Sequence, residues 1–198
     1  MESQELLDLV RHGHEERNLE YKRSVNWKDK EIRDRITKTV LSMSNIRDGG
    51  AIEVGVEQKG EAFKTTGLKA KELDSFTQDG LSSYINEFAD PFAEITVSKV
   101  SDEKLPFVVI QVEEFAELPV VCKRDGKHGL RRGAIYTRTR RKYESAEVPS
   151  QVEVREILDL AVEKGIRALQ ARIGRAGLEV VEPVAADKQK FDQQLKGL

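Results

Sequence analysis

The chain has 198 residues, 38% of them hydrophobic and 34% charged, enough to bury one core with a tail or a second lobe and too few for two full domains. No apolar run approaches membrane-spanning length, and the acidic amphipathic start lacks the basic and then apolar pattern of a signal peptide, so a cytoplasmic protein with no membrane partner is expected. Cys122 is the single cysteine, which excludes an internal disulfide and a cysteine-based zinc site. In Leu118-Pro119-Val120-Val121-Cys122 it reads as a small buried hydrophobe.

Leu6, Leu7 and Val10 recur at helical spacing over Ser3 to Val10, and Gly13 is a plausible stop. Leu19 to Lys22 alternates, with Leu19 and Tyr21 on one face and Glu20 and Lys22 on the other. Asn26, with Asp29 three residues later, caps a helix in which Ile32, Ile36, Val40 and Met43 recur, ending at Asn45. Asp48-Gly49-Gly50 then turns the chain into a strand, Ala51 to Glu57. Its Ile52, Val54 and Val56 are expected to face a core, with Glu53, Gly55 and Glu57 facing away.

Gln58-Lys59-Gly60 reads as a further turn. Lys71 to Phe88 reads as helix divided at Gly80, and Asp90-Pro91 ends it. Strands follow over Ile95 to Val100, Phe107 to Val112, Val120 to Lys123 and Gly133 to Arg140. Ser150 and Glu153 form a capping box for a last helix, whose Val154, Ile157, Leu158 and Ala161 mark one face. From Gly174 onward large apolar residues are scarce, and fraying is expected.

The most informative stretch holds Glu15, Glu20-Tyr21-Lys22 and the run Asn45 to Glu57. An acid and a cation side by side on a strand are the minimum for holding a divalent metal and a phosphate together. If the two strands pair, Glu57 can lie near Glu20. Glu15, Glu20-aromatic-Lys22-Arg23-Ser24, Ser44-Asn45, Gly49-Gly50 and Gly55-Val56-Glu57, followed by Thr66-Gly67-Leu68 and Ile135-Tyr136-Thr137-Arg138, resemble the AlbA-type domain of the Schlafen family over roughly residues 3 to 160. Bacterial members of that family are commonly labelled DNA-binding or ATP-binding proteins, and vertebrate members cut structured RNA with three carboxylates.

Carried onto this sequence, the resemblance implies a catalytic and metal-binding triad of Glu15, Glu20 and Glu57, with Mg or Mn as cofactor. Glu57 stands where the nuclease members more often carry Asp. Lys22 would neutralise the scissile phosphate or orient the attacking water. The same spacing also fits a surface ion pair between Glu20 and Lys22, with Glu57 an ordinary strand-end acid.

A net charge of -2 conceals a basic segment. Between Lys123 and Tyr143 stand Lys123, Arg124, Lys127, Arg131, Arg132, Arg138, Arg140, Arg141 and Lys142, against the single acid Asp125. Such a face attracts a polyanion while the rest of the chain repels it. Arg138 and Arg140 on one face of a strand with Tyr136 would offer phosphate contacts and an aromatic platform for a base. Gly49-Gly50 is not a Walker loop, since the glycines precede a strand and no lysine follows them directly. His12-x-His14 could bind a transition metal beside Glu15 but reads rather as two solvent-exposed residues at a helix end, His128 is weak evidence of a site, and Trp27 and Phe63 read as packing residues.

The expectation is an α+β fold of Schlafen AlbA-like type: a mixed, largely antiparallel sheet with packed helices over residues 1–148, then a C-terminal helix and tail over 149–198. Nucleic-acid binding, to RNA or DNA, is the expected function, with a metal-dependent endoribonuclease acting on structured RNA such as tRNA as its sharper form. A non-enzymatic DNA-binding regulator and a dimerisation module, with homo-oligomers formed through the last helix, are the alternatives.

Overall fold

The computed structural model describes residues 14–59 and 62–177; the helix expected over Ser3 to Val10, His12 and most of the expected tail lie outside them. Two units are present, one reaching Ala161 and the other beginning at Val162.

The first unit is built on a four-stranded sheet in the order β1 (Leu19–Lys22), β2 (Gly50–Val54), β7 (Leu105–Val112), β6 (Ile95–Asp102). β1 runs parallel to β2 with Glu20 opposite Ile52 and Lys22 opposite Val54. The other two pairings are antiparallel, so the sheet is mixed and largely antiparallel, as expected. Helix α1 (Lys30–Met43) is capped by Asp29, whose Oδ1 accepts from the backbone N–H of Glu31 at 2.8 Å. Ile36, Val40, Leu41 and Met43 are fully buried against one sheet face with Ile52, Val54 and Ile110. Each such side chain contributes about 1.5–3 kcal/mol of burial.

Both sheet faces are covered, which corrects the expectation for β2. Leu19, Tyr21, Ala51, Phe107 and Val109 form a second buried cluster, closed by the hairpin of β3 (Val56–Lys59) and β4 (Ala62–Thr65). Val56 joins this cluster and Phe63 packs on it. The expected strand Ala51 to Glu57 is therefore two strands. Gly55, at a φ of 118°, breaks it, because a side chain there would strike the Phe107 ring and Leu68. Glu53, expected to face away, points into the second cluster and is fully buried.

The expected Lys71 to Phe88 helix is also two: α2 (Ala70–Ser75) and α3 (Gln78–Asn86). The break falls at Phe76-Thr77, not at Gly80, because the Thr77 hydroxyl accepts from the Gly80 N–H at 3.2 Å and starts a new helix. Short β5 (Ala89–Asp90) pairs with β8 (Val121–Cys122), and β9 (Tyr136–Arg138) pairs with β10 (Ser145–Glu147), a strand with no clear signal in the sequence. Cys122 is buried, as expected.

Asn45 joins these pieces to α1. Its amide nitrogen donates to the carbonyls of Val120 at 2.8 Å and Tyr136 at 2.9 Å, and its oxygen accepts from the Val120 N–H at 2.7 Å. Helix α4 (Gln151–Arg175) begins at Ser150, whose hydroxyl bonds both Glu153 and the Val152 N–H. Within the first unit it buries Ile157 and Leu160, whereas Val154 and Leu158, expected on one face with Ile157, are exposed. The described part of the second unit carries α4 on to Arg175 with exposed Val162, Ile166 and Leu169. Among the described residues no helix is long and apolar enough to cross a membrane.

Candidate functional site

The alternation of β1 puts Leu19 and Tyr21 into the second cluster and turns Glu20 and Lys22 toward α1. Burying Glu20 costs hydration, and three groups compensate. Lys22 forms an ion pair with Oε1 and Arg138 with Oε2, while the Thr39 hydroxyl lies 3.3 Å from Oε2. Arg138 is itself buried, at the end of β9. Its Nε donates to the Arg17 carbonyl at 3.2 Å, and Arg17 Nε returns a bond to the Arg138 carbonyl at 2.8 Å. Burial pulls the Arg138 guanidinium below its ordinary pKa, and the charges of Glu20 and Glu15 oppose that shift. Its Nη2 is buried and has no hydrogen-bond partner among the described residues.

This ion pair forms the floor of a cavity of about 620 Å³. Glu15 lines it, its Oε1 accepting from the Tyr21 N–H at 3.3 Å. Arg35, Lys38 and Thr39 enter from α1, His128 from the loop after β8, Lys142, Tyr143 and Glu144 from the β9–β10 turn, and Ser145 from the start of β10. Five permanent cations therefore face three carboxylates. Five of the expected site residues, Glu15, Glu20, Lys22, Arg138 and Lys142, meet here.

Glu57 does not line the cavity. The register ends β1 opposite Val54, and past Gly55 the chain enters the β3–β4 hairpin, where Glu57 stands across from Lys64. The strands pair as expected, but the break at Gly55 sends Glu57 elsewhere. The residues that remain fit a divalent ion poorly: both Glu20 oxygens are already held by cations, and among the described residues no group of three His, Cys, Asp or Glu side chains gathers to hold a metal.

The basic segment is not one open track. Tyr136, expected as a base platform, is buried; its hydroxyl donates to the Gly129 carbonyl at 2.9 Å and accepts from the Arg131 N–H at 2.7 Å. Arg131 pairs with Glu147, Arg124 with Glu87 at 2.7 Å, and Arg140 with Glu156 at 2.5 Å. Lys123, Lys127, Arg132 and Arg141 are exposed. Arg138 and Arg140 do not share a strand face, because β9 stops at Arg138 and Arg140 lies in the following turn. The sequence reading missed Arg35, Lys38 and Thr39, although their i, i+3, i+4 spacing marks one polar helix face.

The family model described as Schlafen, AlbA_2 matches residues 15–147. No curated protein matches the chain. Among solved structures, the DIP2311 protein of Corynebacterium diphtheriae is 16% identical with a TM-score of 0.47, over 73% of this chain and 26% of that one. The chain thus spans about a quarter of the length of that protein. The N-terminal domain of a RecG-related protein from Nitrosomonas europaea is 21% identical with a TM-score of 0.49, over 71% of this chain and 93% of that one. With two thirds of its length matched by the family model, including every residue that lines the cavity, the chain belongs to the Schlafen AlbA_2 family.

Proposed function

We propose that the protein binds nucleic acid, with backbone phosphate held in the cavity over Glu20 and Arg138. The observation that carries this reading is the buried Arg138 guanidinium. One of its nitrogens is fixed by Glu20 and another, Nη2, is unpartnered among the described residues, beneath a rim of Lys22, Arg35, Lys38 and Lys142. A phosphate oxygen would supply the missing acceptor, and rim cations supply the salt-sensitive attraction typical of phosphate contacts. Membership of the Schlafen AlbA_2 family supports the same reading.

Cleavage of structured RNA such as tRNA with Mg²⁺ or Mn²⁺ is the finer proposal. It requires Lys22 and Arg138 to release Glu20 before an ion could use that carboxylate. The test is fluorescence anisotropy and gel analysis of labelled tRNA, single strands and duplex DNA, with Mn²⁺ or EDTA. Binding without cleavage supports the non-enzymatic form, and cleavage lost in Glu15→Gln supports the nuclease form. Absence of binding to every nucleic acid sinks both and leaves a protein-interaction module.

A further inference from the structure

A second cavity, of about 440 Å³, lies farther toward the start of α1, lined by Asp34, Tyr84, Phe88 and the chain around Arg124 to Lys127. Tyr84 lies in its wall. The Tyr84 hydroxyl donates to Asp34 Oδ1 at 2.5 Å, and the Arg33 guanidinium carbon stands 4.5 Å over the ring. Trp27 meets the same ring edge-on at 5.8 Å. Arg124 repeats the arrangement 4.9 Å over Phe88. Burial and the bond to Asp34 push the Tyr84 phenol up to about 12, so the hydroxyl stays a donor.

Two polar atoms here are unsatisfied. Asp34 is fully buried, and its Oδ2 has no hydrogen-bond partner among the described residues; the same holds for the buried Nε of Arg33. An acceptor and a donor left open beside an aromatic ring match the edge of a planar heterocycle that presents a donor next to an acceptor. Around them, exposed Lys30 and Lys127 add positive charge, and exposed Glu87 and Asp125, which also line the cavity, offset part of it.

We propose that this cavity receives one unpaired base of the strand whose phosphate occupies the first cavity, a proposal that rests on the nucleic-acid reading above. The base replaces the Arg33 guanidinium over Tyr84, which brings its edge to Asp34. Arg33, freed from the ring, turns to the base or the adjoining phosphate. Continuity between the cavities comes from two elements. Asp34 and Lys38 are one helical turn apart, about 6 Å along the axis, and each lines a different cavity; the neighbours Lys127 and His128 are divided the same way. A paired base in a duplex has its edge and faces covered, so the occupant is single-stranded. Asp34 accepts only, so the base must donate from its edge, as the amino groups of adenine and cytosine and the N3–H of uracil do and N3-methyluracil does not.

Trp27 is the one tryptophan and reports on Tyr84 without mutation. Full-length protein would be titrated with labelled eight-nucleotide single strands of A, C or N3-methyluridine, following anisotropy for binding and Trp27 emission for the second cavity. The A and C strands are expected to bind about fivefold tighter than the N3-methyluridine strand, the ratio one hydrogen bond sustains, and to change Trp27 emission. Asp34→Asn should bring the ratio to near one while the salt dependence is kept. Should that variant fail to fold, the exposed pair Lys30→Ala and Lys127→Ala is expected to weaken single strands about threefold and to leave duplex binding unchanged. Strands that bind with equal affinity and leave Trp27 emission unchanged would overturn this inference alone. If no strand binds under any condition, the nucleic-acid reading fails with it.

Discussion

Glu20 and Arg138 lie 118 residues apart in the chain and form a buried ion pair in the fold, joining β1 to β9. Neither residue has enough water to remain charged at low cost by itself, so each depends on the other. The pair fixes the floor of the first cavity and orders the turn that brings Lys142 and Tyr143 to its rim.

Removing one partner should therefore cost more than losing a surface contact. Arg138→Met leaves Glu20 with Lys22 and Thr39 alone and is expected to destabilise the protein by about 3–5 kcal/mol. Exposed pairs such as Arg124 with Glu87 should cost about 0–1 kcal/mol when broken by Arg124→Ala. Urea denaturation of the two variants checks the contrast.

Glu53 predicts a pH dependence of stability. It is fully buried, neither oxygen has a hydrogen-bond partner among the described residues, and burial raises its pKa to about 8. The folded protein then holds a proton that the unfolded chain releases near the ordinary carboxylate value of 4.5. Between those limits the native state binds more protons, so stability falls as pH rises from about 4.5 to about 8, by up to about 1.4 kcal/mol per pH unit from this group. Denaturation across that window should show the decline, and Glu53→Gln should flatten it and be the more stable protein at pH 8.

Asn45 is expected to matter beyond its size. Asn45→Ala strands the Val120 N–H and the Val120 and Tyr136 carbonyls in a buried setting. A loss of about 1–3 kcal/mol is expected, read as a lower thermal midpoint. Asn45→Asp, which keeps the acceptor but not the donors, should recover only part of it.

Self-association through α4 is a further proposal. Val154 and Leu158 in the first unit, and Val162 and Ile166 in the second, are exposed. If a second copy covers the pair in the second unit, light scattering should give a dimer mass that Val162→Glu with Ile166→Glu converts to a monomer. A monomeric parent protein would contradict it.

The legible parts of this fold were those set by local chemistry. The period-two pattern of Leu19 to Lys22, the helical recurrence of Ile36, Val40 and Met43, and the turn at Gly49 depend on residues close in sequence. Gly49 has a φ of 65°, a left-handed conformation that glycine adopts without strain. The failures came from long-range partners. Glu53 looked solvent-facing because the alternation of its own strand does not show that the hairpin starting at Val56 folds back over that face. Arg138 and Tyr136 looked exposed because charges and phenols usually are, and the groups that satisfy Arg138 come from Arg17 and Glu20. Glu57 was misplaced by carrying one alternation through Gly55, the residue at which the strand breaks.

The central claim is that phosphate binds over Glu20 and Arg138, and the most direct measurement is RNA affinity as a function of salt. Each phosphate contact lowers log K against log salt by about 0.7 for a single strand. Lys38→Ala with Lys142→Ala removes two rim cations and leaves the buried pair intact, so affinity should drop and the slope should become shallower by about 1.4. An unchanged slope in that variant, with RNA still bound, would place the phosphate elsewhere and contradict the account.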